Sequence, residues 1–278
     1  MTTDLTVRPV FFVSDRTGIT AENFGHALLT QFNAIKFERQ SIPFINSEEK
    51  ARQAADTINQ AAKKYGHRPL VFSTLIDKFY RSIIADSQAY VIDFFDTFIK
   101  PLETELHIKS SHASGLSHGI ANEFVYMSRM DAVNYSLKND DGVNTKEYKN
   151  ADIILIGVSR SGKTPTCLYL AMQFGLRAAN YPLTESDMAN NQLPESLHPY
   201  RNKLFGLMIN AERLRTIREM RKQHSEYASL SQCKKETKMI KSLFDIERIP
   251  YIDSSQISVE EMATSIIQLM KINRPPIY

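Results

Sequence analysis

Short apolar runs alternate with longer stretches in which apolar residues recur every three or four positions. The runs at 10–13 and 70–72 and the segment 37–42 read as strands, and the stretches at 20–31, 47–65, 77–86 and 93–108 read as helices. Ser47 stands where an N-cap belongs, and Thr20 is placed to cap the helix before it. Residues 109–119 carry Ser, His and Gly and read as a loop, after which 120–138 is helical again. Asn139-Asp140-Asp141-Gly142 is a turn signal inside a polar stretch running to residue 150. The rhythm then restarts. Strands are expected at 153–156, 177–180, 204–209 and 250–252, and helices at 163–174, 211–224, 230–247 and 258–271. Strands alternating with helices predict an α/β fold of mainly parallel sheets flanked by helices. The polar stretch suggests two domains, 1–145 and 146–278, and no internal repeat is visible along the chain.

Composition narrows this picture only modestly. With 278 residues and 42% hydrophobic content, the chain can bury the cores of two ordinary domains. A net charge of +3 does not single out nucleic acid as a partner, and no apolar run is long enough to span a bilayer. Two cysteines far apart in sequence do not suggest a disulfide scaffold, and no zinc-type spacing or signal peptide is seen. The expectation is a soluble cytoplasmic protein that binds neither nucleic acid nor membrane.

Chemistry enters at the loop Gly157-Val158-Ser159-Arg160-Ser161-Gly162-Lys163-Thr164, which fits the pattern G-x-x-x-x-G-K-[ST]. Ile153 to Ile156 lead directly into it, and Cys167, Leu170, Ala171 and Phe174 mark one face of a helix leaving it. Strand, glycine loop and helix are the context in which this pattern binds nucleotide phosphates, so the carboxy-terminal half reads as a P-loop domain. Backbone amides would cradle the phosphates, Lys163 would neutralise the moving phosphoryl group, and Thr164 would hold Mg²⁺. Ser159 and Arg160 are further candidates for phosphate contact. Asp253, at the end of the strand at 250–252, is placed for the acidic residue that helps hold the metal, though it also reads as the cap of the next turn. Asp15, in Ser14-Asp15-Arg16-Thr17-Gly18, follows a strand and could take a proton from an incoming hydroxyl, though that segment also reads as a capped turn. His112, His118, Asp140 and Asp141 are weaker candidates. Arg215, Arg218 and Lys222 share one helix face, which reads either as solvated or as a dock for an acidic partner. The loop by itself also allows a small-molecule kinase, an NTP hydrolase or a non-catalytic nucleotide sensor.

Gly157 to Thr166, with Tyr169-Leu170-Ala171 and Ala179-Asn180-Tyr181-Pro182-Leu183, resembles the pyruvate, water dikinase (phosphoenolpyruvate synthetase) regulatory proteins. The resemblance covers essentially the whole chain. It extends to Val13 through Glu22, to Asp140-Asp141-Gly142, to Phe205-Gly206-Leu207 and to Glu260-Glu261-Met262-Ala263. It implies a bifunctional enzyme acting on phosphoenolpyruvate synthase, the dikinase. Such an enzyme phosphorylates a threonine of the dikinase with ADP as donor. It reverses the modification with inorganic phosphate and releases pyrophosphate. A homodimer is compatible with this reading.

Overall fold

The computed structural model describes residues 7–111, 123–189, 191–223 and 225–273. The chain divides into two compact units, Met1–Gly119 and Ile120–Tyr278. The candidate residues His112 and His118 lie outside the described residues.

The first unit alternates strand and helix: β1 Val7–Val13, α1 Ile19–Leu29, β2 Lys36–Ile42, α2 Glu48–Tyr65, β3 Leu70–Ser73, α3 Lys78–Ala85, β4 Tyr90–Asp93 and α4 Phe94–Leu106. The four strands are parallel in the order β2-β1-β3-β4. β1 is covered on both faces, as an unbroken apolar run in a parallel sheet must be. Phe11 and Val13 pack with Ala51, Ala54 and Ile58 of α2, whereas Val10 and Phe12 pack with Ala21 of α1 and Phe94 of α4. Ser47 caps α2 as expected, its hydroxyl accepting from the Lys50 amide. Two details depart from the sequence reading. Gly18, at φ 82°, is the N-cap of α1 in place of Thr20. The helix expected at 93–108 is preceded by β4, whose last residue Asp93 caps α4 by accepting from the Asp96 amide. β4 runs directly into the apolar start of α4, Phe94-Phe95, with no turn residue between them, so strand and helix read as one stretch.

The second unit opens with α5 Glu123–Lys138 and two 3₁₀ turns, Asp140–Gly142 and Thr145–Asn150. It continues through β5 Ile153–Gly157, α6 Lys163–Phe174, β6 Ala178–Pro182, α7 Glu185–Met188, a 3₁₀ segment Glu195–Lys203, β7 Leu204–Met208 and α8 Ala211–Glu219. A short turn at Glu226–Ala228, α9 Leu230–Ile246, β8 Tyr251–Asp253 and α10 Val259–Leu269 complete it. Its strands are parallel in the order β6-β5-β7-β8. Alternation along β5 divides the core into two layers. Ile154 and Ile156 join Leu214, Ile240 and Phe244 on one face, and Ile153 and Leu155 join Leu170, Phe205 and Ile266 on the other.

The boundary expected at 145/146 therefore moves to 119/120. The polar stretch is not a linker, because it folds against β6. Tyr148 is fully buried and donates to the Asn180 carbonyl at 2.8 Å, and the Asn180 amide bonds the Asn139 carbonyl. The two units also share one strand order, the later unit repeating that of the earlier with each strand number raised by four. In both, the first strand runs through a short turn into a helix capped by a left-handed glycine, Gly18 at φ 82° and Gly162 at φ 94°. The repeat is one of topology and is hidden in the sequence.

Candidate functional site

β5 ends at the carboxyl edge of its sheet, and the chain turns through 158–162 into α6. Two glycines make that turn. A Cβ on Gly157 would stand 2.7 Å from both the Leu207 carbonyl and Ser161 Oγ, closer than any real contact. Gly162 needs its positive φ to serve as N-cap of α6. Arg160, exposed at the tip, also adopts a left-handed conformation, φ 77°, which a side chain enters only at a cost of about 1–2 kcal/mol. Ser254, after β8, braces the loop, its hydroxyl lying 3.0 Å from the Ser161 carbonyl.

Lys163 and Thr164 open α6, where backbone N–H groups lack partners within the helix. Pro165, the next residue, has no N–H to offer. Lys163 folds back into the loop and is only 4% exposed, its ammonium donating to the Val158 carbonyl at 2.8 Å. Burial pushes its pKa down to about 8, against the opposing pull of Asp141 and Asp140. The Cys167 thiol, one turn on, is held well above its usual range by burial and remains protonated.

The Thr164 hydroxyl donates to Asp140 Oδ1 at 2.9 Å. The Asn180 side chain fixes that carboxylate, donating to the same oxygen while its own oxygen accepts the Asp141 amide at 3.2 Å. The turn Asp140–Gly142 thus seats two carboxylates beside the start of α6, and Asp141 takes φ 50° there. Sequence reasoning ranked this pair low because Asp-Asp-Gly is a good turn in its own right. The available signal was its place in the family-like central motif.

Asp253 ends β8, and its carboxylate accepts from the amide and hydroxyl of Ser255. It therefore caps the next turn, as its alternative reading allowed, and the acid on Thr164 is Asp140. Asp15 stands half-buried in the turn after β1, within the first unit, where Ser14 Oγ accepts the Arg16 amide. Arg218 is not on a solvated face with Arg215 and Lys222, because it is fully buried. Val158, Ser159 and Ser161 complete the loop, and Ser161 Oγ is buried without a partner. Among the described residues no group of three or more His, Cys, Asp or Glu is arranged to hold a metal ion. No described helix is long and apolar enough to cross a membrane.

Fold and site together define a tandem parallel α/β protein with a strand–glycine loop–helix element that ends in a buried lysine and an acid-paired threonine. A family model described as Kinase/pyrophosphorylase matches residues 10–267, and the chain belongs to that family. Relatives agree with it along nearly their whole length. The chain is 52% identical to a protein of Alkalilimnicola ehrlichii, over 96% of this chain and 97% of that one. It is 51% identical to a protein of Hahella chejuensis (96% and 98%) and 52% identical to one of Pseudomonas fluorescens (94% and 96%). Each of these three carries the name "Putative phosphoenolpyruvate synthase regulatory protein".

Proposed function

We propose that this protein is a cytoplasmic regulator of phosphoenolpyruvate synthase that transfers a phosphoryl group from ADP to a threonine of that enzyme and removes it again with inorganic phosphate. The observation that carries the reading is the junction of the 157–164 loop with α6, where Lys163, Thr164 and Asp140 meet. In this reading the loop amides and the first turn of α6 receive phosphate oxygens. Lys163, now bonded to a backbone carbonyl, swings to the transferring phosphoryl group and neutralises it. Thr164 and Asp140 together offer a hydroxyl and a carboxylate oxygen, the hard donors that Mg²⁺ prefers, with phosphate and water filling its remaining positions. Bound there, Mg²⁺ supplies charge neutralisation at the phosphates.

Forward transfer breaks the bond between the β-phosphorus of ADP and its bridging oxygen. It forms a bond from the threonine oxygen and leaves AMP, and the threonine proton must pass to a base. Asp141 is the candidate in this unit, since it sits in the same turn as Asp140, beside the start of α6. Asp15, in the first unit, is the candidate base if the two directions use separate sites. In the reverse direction phosphate takes the phosphoryl group, the threonine oxygen regains a proton, and pyrophosphate leaves.

The test is incubation with purified phosphoenolpyruvate synthase and ADP or ATP labelled at the terminal phosphate, followed by mapping of the modified residue. ADP-dependent label on a threonine, released as pyrophosphate by added phosphate, is expected. Label on a small acceptor only, ATP hydrolysis alone, or nucleotide binding without transfer would overturn the reading.

A further inference from the structure

Arg218, on α8, is wholly enclosed; its two terminal nitrogens are engaged, while Nε is buried without a partner. Nη1 and Nη2 donate to the two carboxylate oxygens of Glu236 on α9 at 3.0 and 2.7 Å. The guanidinium lies 4.0 Å from the centroid of the Tyr227 ring, and Nη1 also donates to the Tyr227 carbonyl at 3.0 Å. Gln232 Nε2 donates to the same Glu236 at 3.0 Å. A buried ion pair of this kind adds little stability over apolar residues of the same size, because desolvation offsets the attraction. Its use is therefore better sought in what it holds.

It holds Ser159. Arg218 Nη2 donates to the Ser159 carbonyl at 3.2 Å, and the Tyr227 hydroxyl donates to Ser159 Oγ at 3.0 Å. In a trans peptide the carbonyl and the following N–H point in opposite directions. With the Ser159 carbonyl drawn to Arg218, the Arg160 N–H is turned the other way. The hydroxyl of Ser159, with its oxygen engaged as acceptor, has its own proton left to give. Arg160, the next residue, adopts a left-handed φ of 77°.

We infer that Arg218 and Tyr227 are positioning residues for phosphate binding, orienting the 159–160 peptide and the Ser159 hydroxyl so that both donate to a bound phosphate. This rests on the reading of the 157–164 loop as a phosphate site. Neither residue touches the ligand, and each acts through Ser159.

The experiment measures the affinity of the full chain for inorganic phosphate and for ADP by calorimetry, together with thermal melting, in five variants. Tyr227→Phe keeps the ring over Arg218 and deletes one hydrogen bond. It should weaken phosphate binding about threefold to tenfold with an unchanged melting temperature. Ser159→Ala should weaken it at least as much, and Tyr227→Phe in the Ser159→Ala background should add nothing further. Arg218→Met with Glu236→Leu replaces the pair by apolar bulk. It should melt no lower than the native chain, yet bind phosphate at least tenfold more weakly. Native affinity in Tyr227→Phe, additive losses in the double variant, or native affinity in a folded Arg218→Met/Glu236→Leu chain would overturn the inference. If the last variant does not fold, the Tyr227 and Ser159 pair decides. Lys163→Ala separates the two levels of the argument. Phosphate affinity untouched by Lys163→Ala means that the loop is not the site. Affinity abolished by Lys163→Ala but indifferent to Tyr227→Phe and Ser159→Ala removes only the positioning role.

Discussion

Lys163 couples the loop to pH. Its folded pKa is about 8, below the ordinary lysine value of 10.5, because burial disfavours the ammonium. Below about 8 both folded and unfolded chains carry the proton, and the folded one bears the desolvation penalty. As pH rises from about 8 toward 10.5 the folded state releases its proton first, so the unfolded state binds more protons and stability rises. If the loop binds phosphate through the ammonium, that affinity should run the opposite way and fall as pH passes through about 8. Calorimetric affinities between pH 6.5 and 9.5 check this, and Lys163→Arg should flatten the profile.

Thr164 and Asp140 form one unit through their 2.9 Å hydrogen bond. If a single loop serves both directions of transfer, Thr164→Ala and Asp140→Asn should each depress the kinase and the phosphorolysis together and raise the Mg²⁺ requirement. A variant that lost one direction and kept the other in full would assign the directions to separate sites. At Gly162 a Cβ would meet only the Met262 methyl at 3.6 Å, so the obstacle to a side chain is the backbone, at φ 94°. Gly162→Val should cost about 1–2 kcal/mol of stability in chemical denaturation and abolish transfer. All eight loop residues could be read from the sequence because their spacing is local. Asp140 and Arg218 could not be placed, because Thr164 lies 24 residues from the one and Glu236 lies 18 residues from the other. Helical spacing carries no information about such partners.

Among the elements, α6 was legible at both ends, since a glycine pattern opens it and Gly175, at φ 66°, closes it. β1, β3 and β5 were legible as apolar runs, because both faces of each are covered. β4 was not, because it passes straight into Phe94-Phe95 of α4 without a turn residue between them. Pro165 gives α6 one functional consequence. As the third residue of the helix it removes an amide from the free first turn. A triphosphate seated in the ordinary register would lose a donor to its innermost phosphate, whereas a diphosphate shifted by one place would not need it. Pro165→Ala should therefore tighten ATP binding by about tenfold relative to ADP. An unchanged ratio of ADP to ATP affinity would remove proline from the account of donor choice.

For the whole chain, the α/β class followed from the alternation of elements, while the division between units did not. The stretch at 139–150 is polar in composition but contributes the buried Tyr148 and the acid on Thr164. A fragment spanning 120–278 should unfold in one cooperative transition and retain phosphate affinity. A fragment beginning at 146, where composition suggested a boundary, lacks α5 and Asp140. It should melt lower and lose that affinity, as circular dichroism and calorimetry can measure.

Each sheet is drawn from one uninterrupted stretch of chain, 7–93 for the first and 153–253 for the second. No strand of the earlier sheet waits for a partner from the later one. During synthesis, which proceeds from the amino end at roughly 5–20 residues per second, the first sheet can close while the glycine loop has yet to be translated. The nascent chain then meets the problem of pairing four strands twice in succession, rather than that of sorting eight at once. Two sheets of the same order, each offering the other's strands a plausible wrong partner, are kept apart by the time at which they leave the ribosome.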